Sequence, residues 1–150
     1  MLGAVEGAAF FLFCHDHIRL DPDAIARLVR EAYRTNAGVV GPKLVDWREP
    51  DRLLAIGMGS DKAGCPTPLV DRGERDRQPH DAVADVFFVP GAATLVRADL
   101  FESLGGFDDE IADLGEDLDL CWRAHAAGAR VVAAPAARVA HLEALGVRRP

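Results

Sequence analysis

"FLFCHDHIRLDPD", Phe11 to Asp23, decides how the rest of the chain is read. An apolar run beginning at Ala8 ends abruptly in His15, Asp16 and His17. Ala8 to Phe13 is apolar on both faces, as a central parallel strand covered on each side would be. Three polar side chains of metal-binding type then stand at the carboxyl mouth of that strand. Ligand sites of open α/β sheets gather at this edge. Asp21-Pro22 reads as an N-cap with Pro at the first helical position. Ile25, Leu28, Val29 and Ala32 follow as a 3/4-spaced apolar stripe, which predicts a helix to Arg34 closed by Asn36-Ala37-Gly38.

Outward from this unit the same alternation continues. Val39 and Val40 begin a strand stopped by Gly41-Pro42, with Leu44 and Val45 as its extension. From Trp47 to Ala82 the pattern dissolves into a segment rich in Gly, Pro and charge, with room for one short hairpin. Irregular excursions of this length inside a compact domain usually carry function. Short strands are expected at Val86 to Val89 and Ala93 to Val96, around Pro90-Gly91. Asp99 caps a short helix over Leu100, Phe101 and Leu104, ended by Gly105-Gly106. An acidic loop, Phe107 to Leu114, leads to a second clear helix from Glu116 to Ala126. Its Leu120 and Ala124 face inward and Gly128 follows its end. Arg130 to Ala134 is a last strand, stopped by Pro135. Strands alternating with helices argue an α/β fold.

The chain has 150 residues, enough for one hydrophobic core, with 49% apolar and 27% charged residues, a globular balance. Seventeen basic against twenty-four acidic residues give a net charge of −7 and leave no basic block. A nucleic-acid partner is therefore not expected. Cys14, Cys65 and Cys121 form no CxxC pair, which argues against a zinc ribbon or a disulfide framework. Cys14 and Cys121 read as small buried hydrophobes, and a reducing, cytoplasmic setting fits. The run from Ala8 to Cys14 is far shorter than the roughly 20 residues that cross a bilayer. Any membrane association is expected to come from parts outside this chain.

Three constellations carry the chemistry. The first is His15-Asp16-His17 with Asp21 and Asp23. His and Asp ligate borderline divalent cations, and Asp suits magnesium. Asp21 and Asp23 are explained as well by helix capping. The second is "GEDLDLCWRAHAAGARV", Gly115 to Val131. Glu116, Asp117 and Asp119 at a helix start complement the helix dipole. That does not account for a Gly-Glu-Asp step placed directly after an acidic loop. A carboxylate crowded by like charge is disposed to accept a proton. The third is His141, alone after a strand.

Taken in order, these pieces resemble family 2 glycosyltransferases of the GT-A fold. "HDHIRLDPDAI" looks like their DxD region. "VPGAATLVRADLFESLGGFDDE" is similar to the glycine-bearing strand, helix and "GGFDE"-like loop that follow. "GEDLDLCWRAHAAGARV" resembles their ED-motif helix, and "PAARVAH" their closing strand and histidine. Order and spacing agree from Phe10 to His141, nearly the whole chain. The resemblance implies a Rossmann-like sheet, mixed and mostly parallel, with flanking helices. It also implies an inverting, nonprocessive transferase that moves a sugar from a nucleotide-diphosphate donor to the hydroxyl of a carbohydrate or lipid-linked acceptor. Asp117 would be the base and Glu116 its fallback. Asp16, His17 and His141 would hold a divalent metal, Mn2+ or Mg2+, against the donor diphosphate. Gly91, Ala92, Gly115, Asp119 and Trp122 would line the substrates.

Two departures qualify this reading. His17 stands where the family usually has Asp, its principal metal ligand. The segment that would supply the first strands and the base-reading acid is not in the chain, so a single partial domain over 1–150 is expected. A catalytically silent fragment or binding module of the same fold is therefore the alternative. A metallohydrolase built on "HDH" is a weaker rival, because His80 falls in the excursion and His125 on a helix.

Overall fold

A computed structural model describes residues 7–77, 80–111 and 115–142. The main sheet runs in the order β1-β8-β3-β9-β2, with β4 added to β3 and β7 to β9. These strands are β1 (Phe10–Cys14), β2 (Ile18–Leu20), β3 (Ala37–Asp46), β4 (Leu53–Ala55), β7 (Ala84–Asp85), β8 (Ala93–Arg97) and β9 (Arg130–His141). β5 (Met58–Ser60) and β6 (Pro66–Pro68) form a separate antiparallel hairpin. β8 lies antiparallel between β1 and β3, and β3 pairs with β9 in parallel. β1, β3 and β9 therefore point the same way, and their carboxyl ends share one edge. The expected mixed α/β sheet with flanking helices is present, with direct parallel pairing confined to β3 and β9 among the described strands.

Side-chain alternation along the strands builds three layers. Val40, Leu95, Val132 and Ala134 pack with Leu28 and Ala32 of α1 (Ala24–Thr35). Their neighbours Val39, Val96, Val131 and Ala133 pack instead with Phe101 of α2 (Ala98–Ser103) and Leu120, Cys121 and Ala124 of α3 (Glu116–Ala126). Adjacent residues thus serve opposite faces, and helices cover both.

Several expectations need correcting. Among the described strands β1 is outermost, paired only with β8, and its residues are half-buried rather than enclosed. Cys14 is exposed, whereas Cys121 is buried as expected. The cap of α1 is Asp23, not Asp21, and its carboxylate goes to Arg27 Nε at 2.6 Å rather than to a backbone amide. Asp21 instead accepts the Ala24 N–H on its carbonyl. Ile25 of the expected stripe is 48% exposed. β3 runs unbroken through Gly41-Pro42 into the expected extension over Leu44 and Val45, and β9 does not stop at Pro135. Pairing slips between Pro42 and Lys43, where Ala134 is followed by Arg138 in the register. The strand expected over Val86 to Val89 is reduced to Ala84–Asp85 and a single bridge from Phe88 to Met58. The end of the acidic loop, 112–114, and the tail from 143 lie outside the described residues.

Candidate active site

The carboxyl ends of β1 and β9, the start of β8 and the N-terminus of α3 converge on one edge of the sheet. The His15 N–H donates to the Ala92 carbonyl at 3.0 Å, carrying the β1–β8 ladder one step past Cys14. Ala92 itself is buried. His141 closes β9 opposite Ile18 on one side and Asp46 on the other. The Leu142 N–H donates to the His17 carbonyl at 2.9 Å. The histidine triplet and His141 are therefore brought to one place by backbone pairing.

A cavity of about 190 Å³ opens beside them, lined by Phe13, Cys14, His15, Gly91, Glu116 and Asp117 among others. Asp117 is half-buried in its wall. Its Oδ2 accepts the Gly91 N–H at 2.9 Å, and its Oδ1 accepts the Leu118 N–H at 2.8 Å. Each carboxylate oxygen retains a further lone pair. A Cβ at Gly91 would stand 3.2 Å from Glu116 Oε1 and 3.5 Å from the Asp117 Cβ, so the glycine leaves room beside both acidic side chains. Gly115, just before α3, has φ of 104°, a left-handed conformation that glycine adopts without strain.

The metal-type residues divide differently from the sequence expectation. Asp16 and His17 pair with each other through Oδ1 and Nδ1, and both side chains are exposed. His141 faces His15 instead, with His15 Nδ1 and His141 Nε2 3.5 Å apart. Burial, then the charges of His15, His17 and Arg72, hold the His141 imidazole below its ordinary pKa. Among the described residues no group of three His, Cys, Asp or Glu is placed to hold a metal ion. The donor chemistry nevertheless suits a divalent cation, with two imidazole nitrogens already adjacent. Although Cys14 as a residue is exposed, partial desolvation of its thiol beside the cavity pushes the pKa up, which disfavours a thiolate nucleophile there.

Asp119 and Trp122, two of the expected substrate residues, are not among the residues that line this cavity. The Asp119 carboxylate accepts from Arg123 Nη2 at 2.6 Å, while Arg123 Nη1 donates to the carbonyls of Leu104 and Gly106. Trp122 is 57% exposed and meets Phe87 edge-on. Two residues near the site, Cys14 and Arg72, are not among the candidates the sequence offers, and His15 stands in the triplet without a partner of its own. Cys14 was read as core. Arg72 lies within the irregular excursion, where no periodicity gives its position.

The family profile described as "Glycosyltransferase like family 2" matches residues 1–146. The chain belongs to glycosyltransferase family 2. It is 43% identical over 74 residues to the pre-mycofactocin glycosyltransferase of Mycobacterium tuberculosis, covering 48% of this chain and 15% of that protein. It is 31% identical over 147 residues to the O-antigen biosynthesis protein RfbC of Myxococcus xanthus, covering 95% of this chain and 12% of that protein. The family 2 chain thus spans about one-seventh or less of the length of these relatives. Its fold is similar to that in the crystal structure of GalNAc-T7 with UDP, GalNAc and Mn2+, with a TM-score of 0.69 at 15% identity. That likeness covers 91% of this chain and 28% of the other. It supports the GT-A fold. Among the described residues, no helix is long and apolar enough to cross a membrane.

Proposed function

We propose that this family 2 chain carries the metal and acceptor side of an inverting, nonprocessive glycosyltransferase. The observation that carries the reading is the Asp117 carboxylate. It is held on both oxygens by backbone N–H groups and faces a cavity that also contains His15 and Glu116. Such fixation sets the carboxylate's plane without moving parts, and preorganisation of this kind lowers the reorganisation needed at reaction. Asp117 takes the proton of an acceptor hydroxyl as its oxygen bonds to the anomeric carbon. The bond from that carbon to the donor diphosphate breaks on the opposite side, and the diphosphate leaves with the electron pair. Attack from the opposite face inverts configuration.

Glu116 lies on the cavity wall beside Gly91 and orients the acceptor. A divalent metal, held by residues of the Asp16, His17 and His141 group, would neutralise charge on the departing diphosphate when bound. Gly91 and Ala92 supply close backbone approach, Gly115 frees the entry to α3, and Trp122 offers an exposed aromatic face. Asp119 acts through Arg123 to support that wall. A nucleotide-sugar donor and a carbohydrate or lipid-linked acceptor are the implied partners, at the cytoplasmic side.

The test is Asp117→Asn. The amide keeps one carbonyl acceptor for the Gly91 N–H but is not a base. Transfer is expected to fall by about 10²–10⁴-fold, with binding of UDP unchanged. Turnover equal to wild type would remove Asp117 from the role of base.

A further inference from the structure

A second cavity, of about 430 Å³, opens between the excursion and β9. Lys43, Asp76, Arg77, Asp81, Ala136 and Arg138 are among its lining residues, and none of them lines the cavity at Asp117. Lys43 and Arg138 each stand three residues before a strand end, at Asp46 and His141, so this cavity lies roughly 10 Å along the sheet from the site edge. Its volume is in the range that holds small ligands. The charges around it do not balance. Three cations, Lys43, Arg77 and Arg138, meet two carboxylates, Asp76 and Asp81, in a chain whose net charge is −7.

The pairing leaves the two guanidinium groups available. Both carboxylates accept from the buried Lys43 Nζ, at 2.8 and 2.6 Å. Arg138 reaches Asp76 only at 3.4 Å and gives Nη2 to the Pro50 carbonyl at 2.7 Å, so most of its five N–H groups remain. Arg77 is exposed, and its charge acts on Glu74. Its side chain makes no hydrogen bond or ion pair among the described residues. A guanidinium presents paired N–H groups in a fork that matches phosphate oxygens. We infer that this cavity binds a phosphomonoester group, with Arg77 and Arg138 as its donors. Lys43, by holding Asp76 and Asp81, keeps their charge off the anion, and the rest of the volume takes the body of the ester. Such a ligand touches the excursion and β9 at once and braces one against the other. The site stands apart from the transfer site and does not rest on the transferase reading.

The experiment is an NMR titration of the 150-residue chain with inorganic phosphate and with glucose 1-phosphate. Saturating shifts are expected at the amides of Arg77, Asp81 and Ala136, with the ester bound at about millimolar strength or tighter. Arg77→Ala, at a side chain that leaves nothing unpaired, should weaken binding about tenfold, and Arg77→Glu should abolish it. The bound ester should also slow proteolysis within residues 71–82 in the wild type but not in Arg77→Glu. A second arm offers vesicles of phosphatidylcholine with phosphatidic acid. Binding of the soluble ester that depends on Arg77 assigns a free ligand, and binding of vesicles alone that depends on Arg77 assigns a lipid headgroup; either upholds the phosphate site. No binding in either arm, shifts centred on Asp117 and His141 instead, or an affinity unchanged in Arg77→Ala overturns it.

Discussion

Asp117 and Asp119 lie two positions apart on α3, yet their surroundings give them different tasks. Both complement the positive end of the helix dipole. Asp117 meets two backbone N–H groups at the cavity, while Asp119 meets a guanidinium that also ties down the carbonyls after α2. An acidic cluster is thus not one feature but several, sorted by partner. Asp46, where β3 opens into the excursion, follows the same logic. Its Oδ1 accepts the N–H groups of Arg48 at 2.7 Å and Glu49 at 2.8 Å. The Glu49 bond first, then that of Arg48 and the charges of Arg48 and Arg72, hold its carboxyl below the ordinary 3.8. A folded pKa below the unfolded one means that stability is present above the unfolded value and is lost as pH falls through the folded one. The melting temperature of the wild type should therefore drop on acidification from about pH 6 to about pH 2.5, and by less in Asp46→Asn. The two proteins should differ most near neutrality. Parallel melting curves over that range would remove Asp46 from the acid response.

At the level of elements, Gly41 shows why β3 admits no side chain at that point. A Cβ there would lie 2.5 Å from both Cβ and Cγ1 of Val89, a branched residue that is fully buried. Because the clash is at the branch point rather than a flexible tip, Gly41→Ala should destabilise by about 1–3 kcal/mol, read from the midpoint of urea unfolding. An unchanged midpoint would mean that β3 and the Val89 segment separate freely. The same stretch marks how far the sequence can be read. α3 was legible to the residue, because an acidic start, an inward Leu120 and Ala124 and a following glycine agree. From sequence, Pro135 ends β9, and Gly41-Pro42 interrupts β3 before its extension over Leu44 and Val45, since Pro removes a ladder donor. In the fold Pro42 and Pro135 sit where the β3–β9 register slips, so the missing N–H groups fall at a bulge and both strands continue. The order of motifs placed His15 and His141 on one sheet edge. Their contact depends on the pairing of β2 with β9, and no local pattern encodes that.

Across the whole molecule, the excursion from Trp47 to Ala82 is fastened to the sheet by a buried lysine. Lys43 is 3% exposed, and its Nζ donates to Asp76 Oδ1 at 2.8 Å and Asp81 Oδ1 at 2.6 Å. Arg138, opposite Lys43 in the β3–β9 register, adds a contact to Asp76 at 3.4 Å. The register slip thus sets two cations side by side, and the excursion's carboxylates close over them. Within the same excursion, the Leu53 N–H donates to the Glu74 carbonyl and the Leu53 carbonyl accepts the Gly73 N–H, which holds the segment bearing Arg72 near the sheet, and Arg72 lowers the pKa of both Asp46 and His141. Fastening at Lys43 therefore bears on the site edge. Replacing Lys43 with Met fills the volume but leaves Asp76 with a single cationic partner and Asp81 with none of its lysine bond. The loss should be roughly 2–3 kcal/mol, at or below the lower end for a broken buried pair because Asp81 is half exposed. Asp81→Asn, which keeps Asp76 on the lysine, should cost only about 0–1 kcal/mol. Limited proteolysis separates a local from a global effect. Cleavage within residues 71–82 should accelerate in Lys43→Met at denaturant concentrations where the sheet is still folded, since the segment opens before the core does. If cutting there instead tracks global unfolding, the lysine stabilises the sheet as a whole and does not act as the fastening of the excursion.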